Sequence, residues 1–213
     1  MQSKLTRTAL VAGAAAALAL GGALPALAST TISPGGPLTV TATSTDLAIT
    51  TTGGLVLKCT NVNGTGTAPA SPGNVNTGAG GIDVPLSSPP TLSSCKVNGI
   101  PATVTTAGAW AVNANADSGS PMGTLKIPAS GATVKIGTTN GCTITVGASN
   151  VGPAPWINGT PPKIDASTPV GTVNFNTVTN GTGSPSCPPA GAGTGTMTGT
   201  LTFNSTPQLT VTT

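Results

Sequence analysis

Leu38-Thr39-Val40-Thr41-Ala42-Thr43-Ser44-Thr45 decides the fold class. Leu38, Val40 and Ala42 face one way and the threonines the other, the two-residue period of a half-buried β-strand. The alternation returns near the C-terminus. There Met197, Leu201 and Phe203 alternate with Thr196, Thr198, Thr200 and Thr202, and then Leu209 and Val211 with Gln208, Thr210 and Thr212. Between these ends the pattern predicts strands near 46–51, 54–60, 92–98, 101–107, 109–114, 123–128, 132–137, 142–147 and 170–177, bounded by Gly, Pro and Asn. Asn98-Gly99 and Asn140-Gly141 offer the positive φ angles that tight hairpin turns demand. Beyond residue 28, no stretch joins good helix formers to an apolar 3.6-residue period. The expected fold is all-β: an antiparallel β-sandwich, Ig-like in style, of about 9–12 short strands. Long loops are expected at 61–90 and 148–169.

Residues 1–28 read as a secretory signal peptide. Lys4 and Arg7 form a positive n-region, an apolar run extends from Ala9 to about Leu20, and Pro25 precedes an Ala26-Leu27-Ala28 cleavage site. Cleavage after Ala28 makes Ser29 the first mature residue and places the protein outside the cell. Residues 29–36 are expected as a flexible N-terminus and 37–213 as a single β-sandwich domain, long enough to bury a core. Cys59, Cys95, Cys142 and Cys187 all lie in the exported part, and an even number in an oxidising compartment implies two disulfides. Three pairings are open. Cys59 with Cys95 and Cys142 with Cys187 is favoured because each loop then staples neighbouring segments, stabilising by roughly 3–4 kcal/mol. Cys59 shares strand parity with Leu55 and Leu57, Cys95 with Val97, and Cys142 with Ile144 and Val146, which places the bridges between or beneath sheets.

Composition removes several functions. The mature chain holds no His, Glu, Tyr or Arg, and its five Lys against four Asp leave a net charge of +1 where the full chain has +3. Lysines scattered singly along the chain give no patch that would release counterions from a polyanion, so nucleic acid is not expected as a partner. Charged residues are 5% of the chain and apolar ones 37%, too apolar for a disordered polar chain. No second apolar run is long enough to span a bilayer as a helix, and aromatics at 2% supply no girdle for an outer-membrane barrel. The mature protein is expected to be soluble and released.

Chemistry-bearing motifs are correspondingly few. Without His, a Ser or Thr nucleophile has only Lys as a base, and no G-x-S-x-G elbow occurs. Asp46, Asp83, Asp117 and Asp165 stand 30 or more residues apart beside small polar residues, the habit of turn and cap residues rather than of a catalytic pair. No catalytic residue, metal site or cofactor is expected. The N-x-[ST] matches at Asn63, Asn158, Asn180 and Asn204 follow from a chain rich in Thr and Asn. Trp156 lies in Val151-Gly152-Pro153-Ala154-Pro155-Trp156-Ile157-Asn158-Gly159-Thr160-Pro161-Pro162, read as a rigid loop. Its ring either stacks on a sugar, with Asn158 and Thr160 as hydrogen-bonding neighbours, or plugs the open end of the sandwich; the large area a Trp buries favours the plug. Trp110, between Ala109 and Ala111, is expected in the core. The threonine ladders at 39–45 and 196–202 are expected to be solvent-facing strand surface.

The apolar signal core Val11–Ala28, the Cys95-Lys96-Val97-Asn98-Gly99 hairpin and Gly141-Cys142-Thr143-Ile144-Thr145-Val146 ahead of a Trp loop resemble small secreted Thr/Gly-rich β-proteins of high-GC actinobacteria. That resemblance implies export and a β-fold and nothing about chemistry. The functional expectation is a secreted, non-enzymatic structural, adhesion or interaction module. It would act through its surface on an extracellular protein or glycan, with self-association possible in principle. The alternative is a carbohydrate- or wall-polymer-binding domain using the Trp156 loop.

Overall fold

The structure, a computed structural model, describes residues 29–137, 142–179 and 187–213. The expected signal peptide, the Asn140-Gly141 turn and the Asn180 motif lie outside the described residues. All regular structure within them is β: β1 (Thr30–Ser33), β2 (Leu38–Ser44), β3 (Leu47–Thr51), β4 (Val56–Ala68), β5 (Val75–Asn76), β6 (Ile82–Pro85), β7 (Thr91–Val97), β8 (Ile100–Thr106), β9 (Ala111–Asn115), β10 (Met122–Ile127), β11 (Ala132–Ile136), β12 (Cys142–Val146), β13 (Ser149–Ile157), β14 (Lys163–Thr179), β15 (Gly191–Asn204) and β16 (Thr210–Thr212). Asn98 and Gly99, with φ of 47° and 87°, make the β7–β8 turn that their chemistry predicts.

The strands do not stack as the two separate sheets of an Ig-like sandwich; the sheet closes on itself. One antiparallel ring runs β15, β3, β4, β7, β8, β11, β12, β14 and back to β15. The expectation fails because β4, β14 and β15 are far longer than a sandwich strand, at 13, 17 and 14 residues, and pair on both flanks along their length. Their remaining halves belong to a second ring of β4, β2, β15, β14, β13, β10, β9 and β6. This second ring meets itself through the Gly66 to Leu86 bridge and one hydrogen bond from Ser87 N to Thr65 O of 2.7 Å. We call the first the disulfide ring and the second the capped ring. A sheet closed on itself exposes no unpaired edge, which a row of free backbone donors and acceptors would otherwise present.

A waist joins the rings. The register of β2 and β3 on β4 is continuous, Thr43 opposite Asn63 and Leu47 opposite Cys59, so the two strands form one line bent at Thr45–Asp46. On the other flank the register slips by one residue at Gly199, whose φ is +131°. A Cβ there would stand 2.9 Å from the Asp46 carbonyl oxygen, so only glycine fits the bend.

Several expected loops are strands. The stretch 61–90 contains the second half of β4, where Val62, Gly64, Gly66 and Ala68 face inward. Likewise, 148–169 contains β13, with Val151, Ala154 and Trp156 inward, and the start of β14. Residues 29–36, expected to be flexible, hold β1, which pairs with both β16 and β5 into a three-stranded cap. Ile32, Leu209 and Val211 of this cap are fully buried against Trp156, Phe203, Leu38 and Val84, closing the end of the capped ring. A second cluster around Leu47, Trp110, Val151 and Met197 lines the waist, and a third around Val97, Val134, Ile144 and Phe175 fills the far end of the disulfide ring. Cys59 and Cys95 are bonded across directly opposed positions of β4 and β7, beneath one sheet rather than between two. The Cys142–Cys187 bond ties β12 to the segment entering β15.

Candidate functional site

The Trp156 loop is a strand with its aromatic turned inward. Trp156 is 4% exposed, and its ring stacks on Phe203 at 4.7 Å between centroids and 14° between planes. Its Nε1 donates to Asn158 Oδ1 at 3.1 Å. Asn158 in turn donates from Nδ2 to Val211 O at 2.7 Å and accepts from Val211 N at 2.9 Å, pinning the last strand of the cap. Trp156 and Asn158 are thus brought together as a structural clasp, whereas Thr160 stands exposed in the next turn. With one face stacked on Phe203 and the whole side chain buried, the indole offers a sugar no open ring face. Trp110 is buried too, donating from Nε1 to the carbonyls of Ala107 at 2.9 Å and Gly131 at 3.2 Å.

The four carboxylates are spread out and each is engaged. Asp46 accepts from Ser44 Oγ and from Thr200 N, holding the waist. Asp83 bridges Lys126 at 2.7 Å and accepts from Asn113 Nδ2 at 2.7 Å. Burial works to raise its pKa, but the Lys126 and Asn113 hydrogen bonds with the Lys126 charge outweigh that and hold it below the usual carboxylate range. Asp117 accepts from Gly80 N at 2.7 Å and from the buried Thr30 hydroxyl at 3.0 Å, so the charged form is favoured and its pKa is lowered. Asp165 is lowered by the hydrogen bond from Lys163 Nζ at 3.1 Å and by Ser167 N. Among the described residues no three His, Cys, Asp or Glu side chains are grouped as a metal would need.

The outer surface is built from hydroxyl and amide rows. Across the capped side, Thr91, Asn63, Thr43 and Thr202 occupy one cross-strand row, Thr65, Thr41 and Asn204 the next, and Thr67 with Thr39 a third. On the disulfide ring Thr105, Thr133, Thr145 and Asn176 form a similar row. Strand alternation predicts that each threonine faces out; which threonines become neighbours depends on ring closure.

Charge placement escapes a reading along the chain. Lys58 and Lys96 stand directly opposite on β4 and β7, both exposed, and Lys135 is exposed on β11 of the same ring. Asp83, Asp117 and Asp165 all lie on or beside strands of the capped ring. The parity of Lys58 and Lys96 opposite inward Cys59 and Cys95 was the available signal, once those cysteines are paired. No family model, no curated protein and no solved structure matches this chain, so its own geometry carries the functional argument.

Proposed function

We propose that the chain is a secreted, extracellular, non-enzymatic module that works by surface contact, in a structural, adhesion or interaction role. The observation that carries this is the set of uncharged hydroxyl and amide rows over closed sheet, from Thr39 and Thr67 to Thr202. Such a surface offers many weak hydrogen bonds to a hydroxyl- or amide-bearing partner, and the fully laddered disulfide ring leaves, among the described residues, no strand edge of its own to recruit one by β-augmentation. The two disulfides fit an oxidising compartment. The engagement of all four Asp in waist, turn and ion-pair contacts supports a non-catalytic reading, because a general acid or base must be free to exchange its proton with substrate. Among the described residues no helix is long and apolar enough to cross a membrane.

The test is retention of the purified protein on insoluble cell-wall polymer and on intact cells. Thr41→Lys with Thr65→Lys places two like charges opposite each other on the central row, and is expected to abolish retention while leaving most of the melting temperature. Unchanged retention would remove the surface from the argument. Turnover of an ester, peptide or glycoside that a single Asp→Asn change abolishes would overturn the non-enzymatic assignment.

A further inference from the structure

A cavity of about 60 Å³ lies inside the waist, between the inner faces of both rings. Its lining residues are all apolar or glycine, among them Leu57, Leu92, Val104, Leu125, Trp110 and Met197. The lining's one side-chain polar atom, Trp110 Nε1, is already committed to the Ala107 and Gly131 carbonyls. The volume exceeds the roughly 10–15 Å³ that one water needs, yet the walls offer water no free donor or acceptor.

The wall side chains show that this space is real interior. Leu57, Leu92, Val104 and Leu125 lie opposite the buried Val97, Val62, Val134 and Val112 in their ladders and so share the inner face. Each nevertheless keeps accessible surface, where a filled core would leave none. Apolar surface of this kind loses dispersion contacts and destabilises the fold in proportion to the unfilled volume.

An approach to the space exists at the seam of the capped ring, held by the single Gly66 to Leu86 bridge. Leu86 lies over the side-chain-free inner positions Gly64 and Gly66, where an added Cβ would come within 3.2 Å of its methyls. Moving that one side chain uncovers the interior without breaking a ladder.

We infer that the waist cavity is a binding site for a small uncharged apolar molecule, of the size of a xenon atom or a short alkyl chain, admitted past Leu86. Charged amphiphiles are excluded, since a carboxylate inside would have no partner for its charge.

The experiment is a methyl NMR titration of the disulfide-intact protein with xenon and with propane, with melting curves under propane and in propionate. Expected are saturable shifts at Leu57, Leu92, Val104, Leu125 and Met197, a higher melting temperature under propane, and none of this in propionate. Ala132→Ile, which grows into the cavity from its wall, is expected to abolish the saturable response; Leu92→Ala, which enlarges it, to strengthen the response to propane and to admit benzene as well. Shifts that rise without saturation and fall on exposed Val75, Ile100, Ile157 and Val178 would overturn the site. So would an equal response to propionate. Should Ala132→Ile fail to fold, the parent titration and Leu92→Ala decide the matter.

Discussion

The two rings share their longest strands but are held together by different physics. The disulfide ring is laddered all the way round, contains both covalent bridges, and carries Lys58, Lys96 and Lys135 on β4, β7 and β11, strands that hold no carboxylate. The capped ring contains no disulfide, closes through a single bridge, and depends on a three-stranded lid, a Trp–Phe stack and both ion pairs. A closed sheet can therefore be secured either by cross-linking its wall or by stoppering its end. Glycine and proline in the capped ring's strands explain the second solution. Its inner faces carry fewer large side chains, so one tryptophan and the lid supply the missing apolar contact.

Reduction should separate the rings most strongly. The bridges span 36 and 45 residues of chain, for which loop closure contributes about 4 kcal/mol each. Amide exchange after reduction is expected to rise first in β7, β8, β11 and β12 and later in β9, β10 and β13. Melting that excess reductant leaves unchanged would erase the distinction.

Trp156→Ala is the matching blow to the capped ring, with an expected loss of about 3–5 kcal/mol for removing a buried large aromatic. Chemical denaturation should report the loss, and exchange should then rise first in the cap and β13. A variant as stable as its parent would mean that the lid, not the indole, seals that end.

Gly199→Ala strikes the waist, where both rings meet. Forcing a side chain into φ of +131° beside the Asp46 carbonyl is expected to cost about 1–3 kcal/mol and to loosen both rings together. Exchange that rises in one ring only would show the rings to be uncoupled at the bend.

Smaller effects probe charge. Lys58→Glu replaces a like-charge cross-strand pair with an opposite one facing Lys96, and is expected to add about 0.2–1 kcal/mol. No gain in denaturant midpoint would mean the two ammonium groups already splay apart. Acid should instead act on the capped ring, where Asp83, Asp117 and Asp165 have lowered pKa values. With the folded pKa below that of the unfolded chain, about 3.9, the unfolded state binds protons first as pH falls. The stabilisation is complete above that value and lost as pH drops through the folded pKa. The cap's amides should lose protection before those of β11 and β12 as pH is lowered past 4; the reverse order would place the acid-sensitive groups elsewhere.

Much of the strand content could be read from residue alternation, because inward Leu, Val, Ile and Cys at β2, β7, β8, β11 and β12 are visibly apolar. The second half of β4 could not, since its inward Gly64 and Gly66 carry no hydrophobic signal; they are small to admit Leu86. Pro153 and Pro155, both pointing outward, disguised β13, and a register shift between Val151 and Ala154 breaks the alternation that would have marked Val151, Ala154 and Trp156 as inward. Ring closure was hidden for another reason. It depends on β14 and β15 pairing over most of their length, a long-range choice that local pattern does not encode. Lys58 and Lys96 could be placed opposite each other only through the favoured Cys59–Cys95 pairing, and Trp156 kept two readings until Phe203 lay beneath it.

The shared long strands also impose an order of events in time. Neighbours in sequence can form hairpins early, such as β7–β8, whereas β2 and β3 find their second flank only in β15. Until the last third of the chain arrives, both rings are open sheets with unsatisfied edges, the most association-prone stage of any β-protein. High contact separation makes that stage slow. Truncation at the C-terminal end, or delay in its delivery, would therefore convert a closed sheet into a sticky half-barrel, and the hydroxyl-rich outer faces would be its remaining protection against aggregation.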